Sequence, residues 1–180
     1  MHIALSIIFT ILLTIANGYF SMSEMALSTA KKVLLDHEAE KGDVRAAIAS
    51  DVVEHPARFL AAIQVAITLL GFFSSAFAAT SLSEPFGAWM ESLGMDSGIS
   101  RSVATVIITL VVSYFSTVVG ELVPKRIAMA DAEAVAKKVA GPINGFLTFT
   151  RFLVVLTAST ANAVARLLHI KSTDDRLQGP

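Results

Sequence analysis

Ser113-Tyr114-Phe115-Ser116-Thr117-Val118-Val119-Gly120-Glu121-Leu122-Val123-Pro124-Lys125 closes an apolar run that begins at Val103, and its reading decides the fold. From Val103 to Val123 the only charged side chain is Glu121, and about 20 apolar residues suffice to cross a hydrocarbon core of about 30 Å. The run therefore reads as a transmembrane helix. A carboxylate at the centre of such a helix costs about 2.5 to 3.5 kcal/mol, and less towards the interface, so it marks an ion pathway or a charged partner. Pro124 lacks an N–H, which leaves the Gly120 carbonyl without its helical partner. In lipid that carbonyl has to be satisfied within the protein, and beside a carboxylate it is suited to hold a cation. The plainer alternative is that Glu121 caps the membrane end and pairs with Lys125, its i+4 neighbour.

Working outward, Ile3 to Phe20 and Phe59 to Ala79 have the same length and apolar character, and Ile143 to Leu168 is a fourth stretch of a different kind. That stretch carries Asn144, Arg151, Asn162 and Arg166 with several Ser and Thr between them, the pattern of a helix lying in the interface. With 54% hydrophobic residues over 180, the chain is too apolar for an ordinary soluble domain. The reading is an all-α membrane protein. Its spans run over about 3–27, 59–81 and 102–124, with juxtamembrane or interfacial helices over about 29–50 and 131–168. Residues 171–180 form a polar linker towards a further cytosolic region. The first span has no basic n-region and no small-residue cleavage site, so it reads as a retained helix rather than a signal peptide.

Loop charges set the expected orientation. Lys31, Lys32, Lys41, Arg45 and Arg58 follow the first span, and Lys125, Arg126, Lys137 and Lys138 follow the third. The loop from Leu82 to Ser100 has no Lys or Arg and carries Glu84, Glu91 and Asp96. By the positive-inside rule the two basic segments are cytoplasmic and the acidic loop is outside, with Trp89 at the outer interface. The expected location is the cell inner (plasma) membrane, multi-pass, with the N-terminus outside and the C-terminus cytoplasmic.

A net charge of −1 provides no basic face for nucleic acid. The absence of cysteine excludes thiolate metal sites and cysteine nucleophiles. The four histidines, His2, His37, His55 and His169, lie outside the first three spans, so no Ser–His pair forms at membrane depth, and none is spaced for zinc. An enzyme is therefore not expected.

Each span carries a polar stripe. In the first, Asn17 and Ser21 are i, i+4, and Glu24 extends their face. In the second, Gln64 and Thr68 share a face, with Gly71, Ser74 and Ser75 beyond. In the third, Ser113, Ser116, Thr117 and Gly120 lie together above Glu121. Hydroxyl, amide and carbonyl oxygens with one or two carboxylates are hard ligands, suited to Mg²⁺ or Na⁺ rather than copper or zinc. Small polar residues also pack helices in membranes, so each serine taken singly is equally readable as packing.

Three motifs in order, Asn17-Gly18-Tyr19-Phe20-Ser21-Met22-Ser23-Glu24-Met25-Ala26-Leu27, His55-Pro56-Ala57-Arg58-Phe59-Leu60 with Ile63-Gln64, and Gly120 to Lys125, make the chain resemble the transmembrane domain of the CNNM/CorC family of magnesium transporters. The resemblance runs from about residue 3 to residue 170. It implies three transmembrane helices, a belt of juxtamembrane helices, a homodimer in the lipid bilayer, and full-length relatives that continue into cytosolic CBS domains binding adenine nucleotides. No nucleotide site is assigned to the residues of this chain. The implied activity is Mg²⁺ export, with Na⁺ influx as the suggested coupling. The implied metal ligands are Ser21, Ser23, Gln64, Thr68, Ser116, Gly120 and Glu121, with Asn17 and Glu24 as additions; separately, glycine's tolerance of changed backbone angles makes Gly18 and Gly120 the expected hinges of alternating access. Gln64 and Thr68 stand where magnesium-transporting relatives often have asparagine, so the ion is open and a polyamine such as putrescine or cadaverine is an alternative cargo. A membrane anchor or sensor module for cytosolic CBS domains is the alternative from another class.

Overall fold

The computed structural model describes residues 2–152 and, beyond them, 155–156, 159–160 and 163–164. No strand occurs among the described residues. The elements are α1 (His2–Thr29), α2 (Lys32–Glu40), α3 (Val44–Glu54), α4 (Pro56–Ser92), α5 (Ser97–Thr117), a π-helical turn (Val118–Leu122), α6 (Val123–Ala130) and α7 (Ala132–Phe149). Three helices are long and apolar enough to cross a membrane: α1, α4, and α5 continued through the π turn into α6. The chain is an all-α membrane protein.

Boundaries follow local chemistry. Pro56 opens α4, where a missing N–H costs nothing. At 37 residues α4 runs well past the stretch 59–81, through Pro85 to Ser92, so the acidic loop shrinks to Leu93–Asp96. Gly94 turns the chain at φ +98°, a left-handed conformation open to glycine. Asp96 then caps α5 by accepting from the Gly98 N–H at 2.9 Å. Across this turn Ser100 donates to Glu91 Oε1 at 2.6 Å and Arg101 pairs with Glu84 at 3.3 Å.

The stretch 29–50, expected as one helix, is two. Gly42 at φ +96° ends α2, and Asp43 starts α3 by accepting from the N–H groups of Arg45 (2.9 Å) and Ala46 (3.2 Å). The helix expected over 131–168 is described as α7 to Phe149. Beyond it only Thr150 to Phe152 and the three residue pairs above are described, and 171–180 lies outside the described residues.

The main apolar core gathers at one end of the molecule. Ala26, Leu27 and Ala30 of the first helix and its exit, Leu35 of α2, Ala49 and Val52 of α3, Phe59 and Ile63 of α4, and Ala136, Val139 and Ile143 of α7 are buried together. Alanine is frequent because the backbones approach closely there. Along the rest of α1, α4 and α5 the large apolar residues face outwards, as Leu12, Phe72 and Leu110 do, which is the arrangement lipid requires.

Ion pairs tie the belt of α2, α3 and α7. Lys137 Nζ lies 2.5 Å from Glu38 Oε2 and 3.3 Å from Asp43 Oδ2. The hydrogen bond to Glu38 is the main reason the Lys137 ammonium is held above its ordinary range. The Ala46 N–H, ahead of Lys137, lowers Asp43. Lys32 bridges Asp36 (3.0 Å) and Glu54 (3.6 Å), and Ser50 also donates to Asp36, which is lowered first by that hydroxyl.

Candidate cation site between the spans

The site is built around Pro124. Because proline offers no N–H, the Gly120 carbonyl cannot be closed in α-helical fashion. The backbone instead widens into a π turn, in which the Val123 N–H reaches back five residues to the Val118 carbonyl. The freed Gly120 carbonyl accepts from Asn17 Nδ2 of α1 at 3.2 Å. Sequence reasoning identified this carbonyl as needing a partner inside the protein, and the partner is an amide.

Two glycines permit that bond. A Cβ on Gly120 would lie 3.1 Å from Asn17 Nδ2 and 3.2 Å from both Cγ2 and the carbonyl oxygen of Thr14. A Cβ on Gly18 would lie 3.1 Å from Pro124 Cγ. The positions expected to be hinges are thus points where α1 and the π turn touch.

Beside this crossing an open cavity of about 320 Å³ lies among all three spans. Asn17 lines it from α1, Thr68, Gly71 and Ser75 from α4, Ser113, Ser116 and Thr117 from α5, and Glu121 from the π turn. Ser75 Oγ and Ser113 Oγ stand 3.5 Å apart across it. Asn17 is buried, and its Oδ1 has no hydrogen-bond partner. Ser21, one turn further along the same face, is fully buried with an unpartnered Oγ. A buried oxygen without a donor costs about 1–3 kcal/mol, and α1 presents two of them on one face, Asn17 in the cavity lining and Ser21 outside it.

Of the residues read from the sequence, Asn17, Thr68, Ser116 and Glu121 line the cavity, and Gly120 joins it through Asn17. Ser23 is turned away, donating to the Tyr19 carbonyl at 2.7 Å, the back-bonding habit of serine in helices. Gln64 is exposed and does not line the cavity. Glu24 meets Lys125 instead, at 3.2 Å, and the same ammonium lies 3.0 Å from Glu121 Oε1. The plainer reading of Glu121, a pair with its i+4 lysine, is therefore present along with the cavity. Ser75, Ser113 and Thr117 belong to the lining, and their signal was the i, i+4 spacing of Ser113 with Thr117 and of Gly71 with Ser75.

Among the described residues no three His, Cys, Asp or Glu side chains cluster as a metal site would require. Any cation here would be held by hydroxyl, amide and carbonyl oxygens around a single lining carboxylate. Such donors suit a hard or hydrated cation, or an ammonium group.

Three long apolar helices with an open, partly oxygen-lined cavity between them make this a helical membrane domain. The chain belongs to the cyclin M (CNNM) family: the Cyclin M transmembrane N-terminal domain matches residues 7–178. It is similar to a UPF0053 protein of Synechocystis sp., 32% identical over 172 residues, which cover 96% of this chain and 38% of that protein. It is also similar to proteins named polyamine export protein. The one from Haemophilus influenzae is 27% identical over 96% of this chain and 40% of its own length, and the one from Salmonella typhimurium is 29% identical over 92% and 37%. The chain spans about two fifths of the length of these relatives.

Proposed function

We propose that this chain is the membrane domain of a cation exporter, with cargo held in the cavity between α1, α4, α5 and the π turn. One observation supports this above the rest: oxygens from all three spans line one cavity that also carries the Glu121 carboxylate. Mg²⁺, with Na⁺ as coupling ion, is the leading cargo because every available donor is a hard oxygen. A diamine is the second reading, favoured by the relatives named polyamine export protein and by the ammonium of Lys125 already seated between two carboxylates. On either reading the chain is a transporter rather than an enzyme. A homodimer, an inner-membrane location with the α2, α3 and α7 belt in the cytoplasm, and nucleotide regulation through CBS domains complete the proposal.

The test is unfolding of the purified chain against Mg²⁺, Na⁺, Ca²⁺ and putrescine, with Glu121→Ala alongside. A cargo at a hundredfold over its Kd adds roughly 2.7 kcal/mol to the folded state. Stabilisation by Mg²⁺ that Glu121→Ala abolishes supports magnesium, and stabilisation by putrescine alone supports the diamine. If no cation stabilises the chain, the polar stripes are helix packing and the domain is an anchor.

A further inference from the structure

Lys125 is the first side chain beyond Pro124, and its ammonium bridges two helices. Nζ lies 3.0 Å from Glu121 Oε1 on the π turn and 3.2 Å from Glu24 Oε2 on α1. The side chains of Lys125 and Glu24 are 24% and 20% exposed and that of Glu121 is 39% exposed, so the α1 side of the bridge is withdrawn from solvent while the Glu121 side stays open to an incoming ion. Of the three charged groups Glu121 also lines the cavity. One positive charge between two negative ones leaves the cluster at −1. It therefore attracts a further cation, yet a cargo carrying two charges drives the cluster positive unless the ammonium leaves. A lysine ammonium is a point charge on a flexible four-carbon stem, able to swing away without disturbing the backbone.

We propose that Lys125 is a tethered competitor: its ammonium occupies Glu24 and Glu121 while the cavity is empty, and it is displaced when a cation enters. The proposal rests on the cation-export reading and gives it a release step. When cargo departs, the ammonium returns and closes the two carboxylates against the next ion. Lys125 therefore sets the affinity from within, and the cavity binds its cargo more weakly than its oxygens alone would allow.

The experiment measures the Kd for Mg²⁺ and for putrescine in the wild-type chain, Lys125→Gln and Lys125→Arg. Removing the competitor is expected to tighten binding about tenfold in Lys125→Gln. Lys125→Arg, whose planar fork grips carboxylates more firmly, weakens binding below wild type. A salt bridge that merely holds the fold would lower the melting temperature of Lys125→Gln and leave its Kd unchanged. A second measurement needs no variant: acetylation of Lys125 in the wild-type chain, read by mass spectrometry against exposed Lys41, should rise several-fold at saturating Mg²⁺. If wild type binds a cation but Lys125→Gln binds it no more tightly, or Lys125 labelling is unchanged by bound Mg²⁺, the competitor is refuted and the export reading stands. If neither wild type nor variant binds any cation, both fall together.

Discussion

Gly120→Ala tests the crossing of α1 and the π turn most directly. The added Cβ would lie 3.1 Å from Asn17 Nδ2 and 3.2 Å from the Thr14 carbonyl oxygen. Both neighbours are fixed, Thr14 by its backbone and Asn17 by its bond to the Gly120 carbonyl, so the helices must separate by a few tenths of an ångström. Overpacking of this kind costs about 1–3 kcal/mol. The strained Asn17 bond adds about 0.6 kcal/mol, the average for interhelical hydrogen bonds in membranes. The sum is roughly 1.6–3.6 kcal/mol, measurable by denaturant titration at equilibrium in detergent. Gly71→Ala is the matched control, since its Cβ meets nothing within 4 Å and alanine favours the helix. Equal stabilities for the two variants would refute the close crossing.

Other outcomes follow from the same contacts. Ser21→Ala should leave the cation-free stability unchanged or slightly raised, because the lost Oγ has no partner, while any cation-induced stabilisation falls; a large loss without cation would show that the hydroxyl is structural. Leu27→Ala, fully buried where α1 meets the belt, should cost about 2–5 kcal/mol in the same titration. Stability should also have a plateau in pH. Asp43 is held below its ordinary value near 3.9, so its contribution is present above that value and is lost as pH falls through the lowered pKa. Lys137 is held above its ordinary value near 10.4, so its contribution is present below that value and is lost as pH rises through the raised pKa. Lys137→Met should reduce the alkaline loss and leave the part owed to Lys32, which Asp36 also holds above its ordinary value, followed by circular dichroism across a pH series.

The spans were legible because lipid imposes one rule on length and polarity, and Glu121 with Pro124 announced an irregular helix. What hydropathy could not supply was rotation. Gln64 and Thr68 share a helical face, yet only Thr68 stands at the depth where α5 faces it, with Gly71 and Ser75 completing the lining. The π turn adds a residue to one helical circuit, so a wheel drawn from Ser113 no longer predicts directions beyond Thr117. Ser23 could not be separated from Ser21 by spacing, because a serine chooses between its own backbone and a neighbour only when the neighbour is known. The break between α2 and α3 was written in Gly42-Asp43, a helix stop followed by a helix start, but a run rich in Ala, Leu, Lys and Glu masked it.

The length of α4 has a consequence beyond the bilayer. Its 37 residues rise about 55 Å, nearly twice the thickness of a hydrocarbon core of about 30 Å. Even at a tilt of about 40°, the upper end for membrane helices, roughly 16 Å of it must stand clear of the acyl chains. Most of that excess is the arm beyond the apolar stretch, and it carries Glu84 and Glu91 out to Arg101 and Ser100, so the link between the second and third spans is tied in water rather than in lipid.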